Sequence, residues 1–182
     1  FTGSIAWRGT VDASQLPRGF MTQRVQLWMG TNAHLVAYPM SGGKRINMVA
    51  IVSGKWNRPG WSEPGDVVEI ANHFADPHWP IAARMMIGAV DSWRKWALFA
   101  MRDGGVWNKG PIALLGDASH AMLPFAAQGA GMAIEDADTL ARVLDANPDD
   151  VPAALQSYAN LRWQLAYTRT AATEVSPLAS SV

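Results

Sequence analysis

The chain has 182 residues, 49% hydrophobic and 16% charged, which is apolar material for one good core or two small ones and argues against disorder. Fifteen basic residues balance fifteen acidic ones, so no net field draws the chain to nucleic acid or an anionic membrane, and no apolar run approaches the ~20 residues that span a bilayer. The absence of cysteine excludes disulfides, thiolate metal sites and cysteine nucleophiles together, and suits a cytoplasmic protein.

Phe1 opens directly into strand-like sequence with no signal peptide before it, so the chain reads as part of a longer one. Residues 4–11 form a predicted strand, and residues 12–19, with Pro17 and Gly19, a loop. A second short apolar run, 25–29, closes on Gly30, Thr31 and Asn32. The apolar runs 34–40 and 45–53 flank Ser41-Gly42-Gly43-Lys44 and predict a hairpin. Residues 57–66, rich in Pro, Gly and Trp, predict an irregular connection.

Asp66 can cap a helix in which Val67, Ile70, Ala71 and Phe74 keep helical spacing, and a second short helix over 80–87 puts Ile81 and Met85 on one face. Residues 93–101 return to strand character, and Asp103, Gly104 and Gly105 turn the chain. Residues 112–115 read as a wholly apolar strand, the kind buried on both faces. From Gly129 a helical stripe follows, Met132, Ala133, Ala137, Leu140, Ala141 and Leu144, ended by Asn147 and Pro148. Asp149 or Asp150 then caps a final helix with Pro152 in its first turn and Leu155, Tyr158, Arg162, Leu165 and Arg169 at three- and four-residue steps. Residues 176–182 should fray. The expected class is α+β: a mixed sheet over residues 1–110, then one strand and two helices over 111–182, too few to make a core of their own.

Three constellations carry chemistry. Gly116-Asp117 places an acid at the carboxyl end of a strand, where it can accept hydrogen bonds from ligand hydroxyls or simply cap the next turn. Gln128-Gly129-Ala130-Gly131 opens a helix with almost no side-chain bulk. Its backbone N–H groups and the helix dipole would favour an anionic or electron-rich ligand edge; a tightly packed helix entry is the alternative. His34, Val36 and Tyr38 are spaced by two on a predicted strand and share a face. If that face lines a pocket, His34 can remove a phenolic proton and Tyr38 can orient the ring. His120, with Asp117 and Ser119 as chain neighbours, does not make a hydrolase triad, whose members come from separated segments. His73 and His78 lack partner acids at ligand spacing, so no metal is expected. The nine tryptophans fit core and interface packing better than a flat aromatic pocket.

Residues 114–125, Leu-Leu-Gly-Asp-Ala-Ser-His-Ala-Met-Leu-Pro-Phe, with 128–137, Gln-Gly-Ala-Gly-Met-Ala-Ile-Glu-Asp-Ala, closely resemble the second flavin-binding motif of the FAD-dependent aromatic hydroxylases (class A flavoprotein monooxygenases). The similarity is greatest to the salicylate hydroxylase and 3-hydroxybenzoate 6-hydroxylase branch. Ala-Trp-Arg-Gly at 6–9, His-Leu-Val-Ala-Tyr-Pro at 34–39 with Gly42 and Gly43, residues 96–99 and Trp107 extend it over nearly the whole chain.

This resemblance implies a substrate-binding sheet portion over 1–110 and the carboxyl-terminal part of an FAD-binding domain over 111–182. Asp117 would bind the ribityl chain of FAD, with Gly116 also at the cofactor, Pro124 would lie over the isoalloxazine region, and Gly129, Ala130 and Gly131 would offer backbone donors to the pyrimidine. His34, Tyr38 and Gln128 would be the active-site residues. The implied reaction is reduction of FAD by NADH or NADPH, reaction with O2 to a flavin C4a-hydroperoxide, and hydroxylation of a small phenolic or hydroxylated aromatic acid, as in aromatic catabolism. The family's amino-terminal glycine-rich turn and a further Asp-Gly motif have no counterpart here. The alternatives are a flavin oxidoreductase acting on a larger non-phenolic substrate, a non-catalytic fragment, and a binding or dimerisation module; a homodimer is compatible with each.

Overall fold

Strand β1 (Ser4–Asp12) sets the frame by its period of two: Ile5, Trp7 and Val11 turn to one face and are buried. The computed structural model describes residues 1–16, 23–101, 105–124 and 128–174, without the side chains of residues 167 and 169–174. Expectations resting on Pro17, Gly19, Gly104, the side chain of Arg169 and residues 176–182 lie outside the described residues. The chain divides into two compact units, Phe1–Leu98 and Phe99–Val182.

The first unit is a six-stranded sheet in the order β2-β3-β4-β1-β6-β5, every pairing antiparallel, with β2 (Gln26–Met29), β3 (Ala33–Met40), β4 (Arg45–Ser53), β5 (Ser62–Gly65) and β6 (Trp93–Ala97). The predicted hairpin is β3–β4. Its turn places Gly42 and Gly43 at φ +66° and +84°, which glycine adopts without strain. Residues 57–66, expected to be irregular, contain β5. Pro64 is tolerated there because β5 is an edge strand, and a Cβ on Gly65 would lie 2.3 Å from the Trp7 ring.

One face of the sheet packs Trp7, Val11, Leu35, Met48, Val52 and Trp93 against Ile70, Phe74, Met86 and Ile87, contributed by α1 (Val67–Asn72), α2 (Ile81–Gly88) and the turn after α1. Asp66 caps α1 by accepting from the Val68 amide at 2.6 Å, as its position predicts. Ile70 and Phe74 are the buried members of the expected stripe; Val67 and Ala71 are exposed. In α2 the buried face is Ala83, Met86 and Ile87, and Ile81 and Met85 face outward. Neighbouring Pro80, the N-cap, supplies no side-chain hydrogen bond, so packing alone fixes the rotation of this two-turn helix. Lys95, on the core face, is buried with its ammonium 5.0 Å from the Trp7 ring centroid and paired to Glu63 and Glu69. Burial works against its charge, but the hydrogen bonds it donates to Glu69 and Glu63 outweigh that and raise its pKa.

The second unit pairs β7 (Asn108–Lys109) with β8 (Ile112–Ala113) and adds α3 (Asp117–His120), α4 (Gly129–Ala146) and α5 (Val151–Glu174). Its core joins Trp107 and Met132 to Tyr158, Ala154 and Ala159. The strand expected at 112–115 is two residues long, and Ile112, Leu114 and Leu115 are exposed rather than buried. Among the described residues it pairs with β7 alone. Asp150 caps α5, accepting from the Ala153 amide at 3.1 Å. The buried stripe of α4 is Met132, Asp136 and Val143, with Ala137 and Ala141 exposed, a rotation from the expected face.

Candidate functional site

The acid on that stripe explains the rotation. Asp136 is fully buried, and its carboxylate gathers three donors from outside α4. The Gly116 amide donates to Oδ2 at 3.0 Å, His120 Nε2 to Oδ2 at 2.6 Å, and Arg162 Nε to Oδ1 at 2.6 Å. A carboxylate only accepts, so His120 Nε2 carries a proton; its Nδ1 has no hydrogen-bond partner among the described residues, and the ring lies beside that of Trp107. Burial pushes the Asp136 pKa up, and the hydrogen bonds from His120, Arg162 and Gly116 overcome it and hold it below the ordinary carboxylate range. Arg162 also donates to the Met132 carbonyl at 3.3 Å and pairs with Glu135 at 3.1 Å. Tyr158 donates to the Leu114 carbonyl at 3.0 Å, and burial and the nearby Asp136 charge raise its pKa to about 12.

This grip fixes the turn at Gly116, buried with φ +58°, where a Cβ would lie 3.2 Å from Ala133 of α4. Asp117 follows on the exposed side, and the Cβ position of Gly129 is 3.9 Å from its Oδ1. The structure therefore brings Asp117 to the first turn of α4. The Met132 amide bonds the Gln128 carbonyl at 2.9 Å, so the amides of Gly129, Ala130 and Gly131 are those a helix start leaves without such partners among its own residues. A Cβ on Gly131 would meet nothing within 4 Å; the space those glycines leave is open to a ligand. An exposed carboxylate able to accept from hydroxyls, beside a bare helix start that favours an electron-rich edge, fits the flavin end of FAD. Pro124 and Gln128 are exposed in the connection between α3 and α4, whose residues 125–127 lie outside the described residues.

His34 and Tyr38 belong to the first unit, on the face of β3 opposite its buried Ala33, Leu35 and Ala37. Val36 lies between them, His34 is half-buried, and Tyr38 is exposed. In register, His34 stands opposite Ile51 and Tyr38 opposite Asn47. Burial lowers the His34 pKa below the ordinary histidine value, so its imidazole is neutral at neutral pH. Ser119 donates to the Gly116 carbonyl at 2.9 Å, so it is engaged by its own turn and not by His120. Among the described residues no cluster of three or more His, Cys, Asp or Glu could hold a metal ion, and no helix is long and apolar enough to cross a membrane.

Residues 5–172 match the family model described as "FAD binding domain". The chain belongs to this FAD-binding family. Among its relatives, the 3-amino-4-hydroxybenzoate 2-monooxygenase PtnB3 of Streptomyces platensis is 38% identical over 163 residues, 89% of this chain and 41% of that protein. The 3-hydroxybenzoate 6-hydroxylase of Polaromonas naphthalenivorans is 33% identical over 163 residues, 88% of this chain and 40% of that one. The structure of a salicylate hydroxylase substrate complex superposes with a TM-score of 0.83 at 29% identity, covering 95% of this chain and 46% of the other. The chain thus spans about two-fifths of the length of the relatives it matches. The resemblance read from residues 114–137 holds, and so does the α+β class.

Asp136 and Arg162 are the residues of this FAD-binding-family site that motif reasoning passes over. Their signal is a charged residue on a buried helical stripe: Asp136 lies four residues after Met132, and Arg162 four after Tyr158.

Proposed function

We propose that this chain forms part of an FAD-dependent monooxygenase that hydroxylates a phenolic or hydroxylated aromatic acid with NADH or NADPH and O2. The Phe99–Val182 unit serves the flavin end of the cofactor and the Phe1–Leu98 sheet serves the aromatic substrate. The observation that carries this reading is the exposed Asp117 carboxylate held beside the bare first turn of α4, within a family match that spans residues 5–172. The activities for which the relatives are named, on hydroxybenzoates and salicylate, support the substrate class.

Reduced FAD, when bound, supplies the means to place one oxygen atom of O2 on the ring, the other leaving as water. The chain's own residues bind and orient. Asp117 accepts hydrogen bonds from ribityl hydroxyls, with its place set by Gly116 and Asp136 behind it. The amides of Gly129, Ala130 and Gly131 stabilise negative charge at the pyrimidine edge. His34, neutral because it is half-buried, takes the phenolic proton on its ring nitrogen and so raises electron density on the carbon to be attacked. Tyr38 fixes the ring through its hydroxyl, and Gln128 offers an amide for a further hydrogen bond.

The test is stoichiometry in the full-length protein that carries this chain, supplied with FAD, NADH or NADPH and a panel of hydroxybenzoates. One product molecule heavier by a single oxygen should appear per nicotinamide oxidised. Nicotinamide oxidation without any hydroxylated product across the panel overturns the substrate class, and absence of bound flavin overturns the reading altogether.

A further inference from the structure

Two guanidiniums on the face of the sheet that carries His34 have no carboxylate partner among the described residues. Arg8 of β1 and Arg94 of β6 stand directly opposite each other in register. Such cross-strand pairs hold their Cα atoms about 5 Å apart, and like charges so placed work against the ladder. Neither forms an ion pair among the described residues. Glu63, the acid nearest in register, is taken by Arg58 and by Lys95 of the opposite face. Both guanidiniums instead lean on one ring, with Cζ 5.5 Å (Arg8) and 5.9 Å (Arg94) from the Trp96 centroid. Arg94 Nη2 donates to Ser62 Oγ at 3.1 Å, which helps hold its fork in place.

Beside this pair lies a cleft of about 420 Å3, lined by Arg8, Thr10, Asn47, Ser92 and Arg94 among others, with no Asp or Glu in its wall. Thr10 Oγ1 accepts from Arg45, so its own proton is left for another acceptor. The wall is thus rich in donors: two charged planar forks, two hydroxyls and an amide. What complements it is a compact, acceptor-rich anion, and the planar guanidinium matches a carboxylate or phosphate edge with two parallel hydrogen bonds. We propose that Arg8 and Arg94, braced on Trp96 and joined by Thr10 and Asn47, form an oxyanion subsite for a small ligand. An anion there also relieves the repulsion between the two arginines. The two sources of such a group are the carboxylate of an aromatic acid and the diphosphate of a nicotinamide nucleotide. The subsite rests on the sheet alone and does not depend on the monooxygenase reading.

Binding to the 182-residue chain itself tests it without cofactor or turnover. Sodium benzoate, phenol and inorganic pyrophosphate are titrated at constant ionic strength while the Arg Nε–H resonances are followed by NMR. Saturable shifts of Arg8 and Arg94 with benzoate or pyrophosphate, and none with phenol, are expected. R8Q and R94Q should each weaken that binding about tenfold, the loss of one charged hydrogen-bonding partner, while R84Q, on the exposed side of α2 and absent from the cleft wall, should not. Benzoate alone marks the carboxylate as the ligand group, pyrophosphate alone marks the nucleotide, and binding of both marks an unselective oxyanion site. Saturation by neither, or equal binding by R8Q and R94Q, overturns the proposal. Should R8Q fail to fold, the Arg94 variant decides, because Arg94 lies on the shorter strand and is exposed.

Discussion

His120 Nε2 and Asp136 Oδ2 meet at 2.6 Å inside the second unit, and the same oxygen accepts the Gly116 amide, so both ends of the short helix α3 hang from one atom of α4. The other carboxylate oxygen holds Arg162 of α5. Replacing Asp136 by Ala should cost about 3–5 kcal/mol, because it leaves the buried Arg162 uncompensated. Chemical unfolding of both forms measures it; a loss below 1 kcal/mol would show the pair to be dispensable.

The same carboxylate sets an acid limb. Its folded pKa is depressed below its unfolded value near 3.9, so the stability it contributes is present above that value and is lost as pH falls through the folded pKa. D136N should flatten the fall in stability below about pH 4, as read from unfolding midpoints at stepped pH.

Gly131→Ala separates a ligand role from a folding role. The added methyl enters open space on a helix, so stability should hold or rise by up to about 1 kcal/mol. On the proposed reading, flavin affinity of the full-length protein should nonetheless fall, because a methyl beside the bare helix start would crowd the edge that meets its amides. Asp117→Ala should weaken the same affinity by about tenfold or more, through loss of a charged acceptor. Fluorescence titration with FAD reads both, and unchanged affinity in both would remove α4 from the cofactor site.

On the proposed reading, His34 as the base would make the reaction pH-dependent. Its depressed pKa keeps it a competent base down to below about 6.5, so kcat/KM for hydroxylation should fall on an acid limb with its midpoint under that value. H34A should lower hydroxylation by roughly 10²–10⁴-fold and remove that limb. A limb that persists in H34A belongs to another group.

The hairpin of β3 and β4 was legible because two strong apolar runs flank a Gly-Gly turn, and local rules suffice for it. The β5 strand was not, since Pro64 and Gly65 look like breakers until Trp7, nearly sixty residues earlier, is seen to need the space a side chain at Gly65 would fill. The flavin loop was legible as a motif, yet what holds it was hidden. Asp136 reaches partners 16, 20 and 26 residues away, and an acid on an apolar stripe looks like an interruption of the pattern rather than its centre. The burial of residues 112–115 was misread because an apolar run reports what a strand could cover, not whether anything is there to cover it.

Strand β1 sits between β4 and β6, and its two partnerships form on different terms. The β3–β4 hairpin is local, and β4 reaches β1 across some forty residues, whereas Ile5 meets Ala97 only after a loop of about ninety has closed. Closing entropy grows with loop length, and such distant pairings slow folding. The sheet should therefore assemble from its β3–β4 side, with the hydrogen bonds between β1 and β6 the last to gain protection in pulsed hydrogen exchange. Lys95 finds Glu63 and Glu69, and Arg94 finds Ser62, within about thirty residues, so what waits for the sheet to complete is the ladder that sets Arg94 against Arg8.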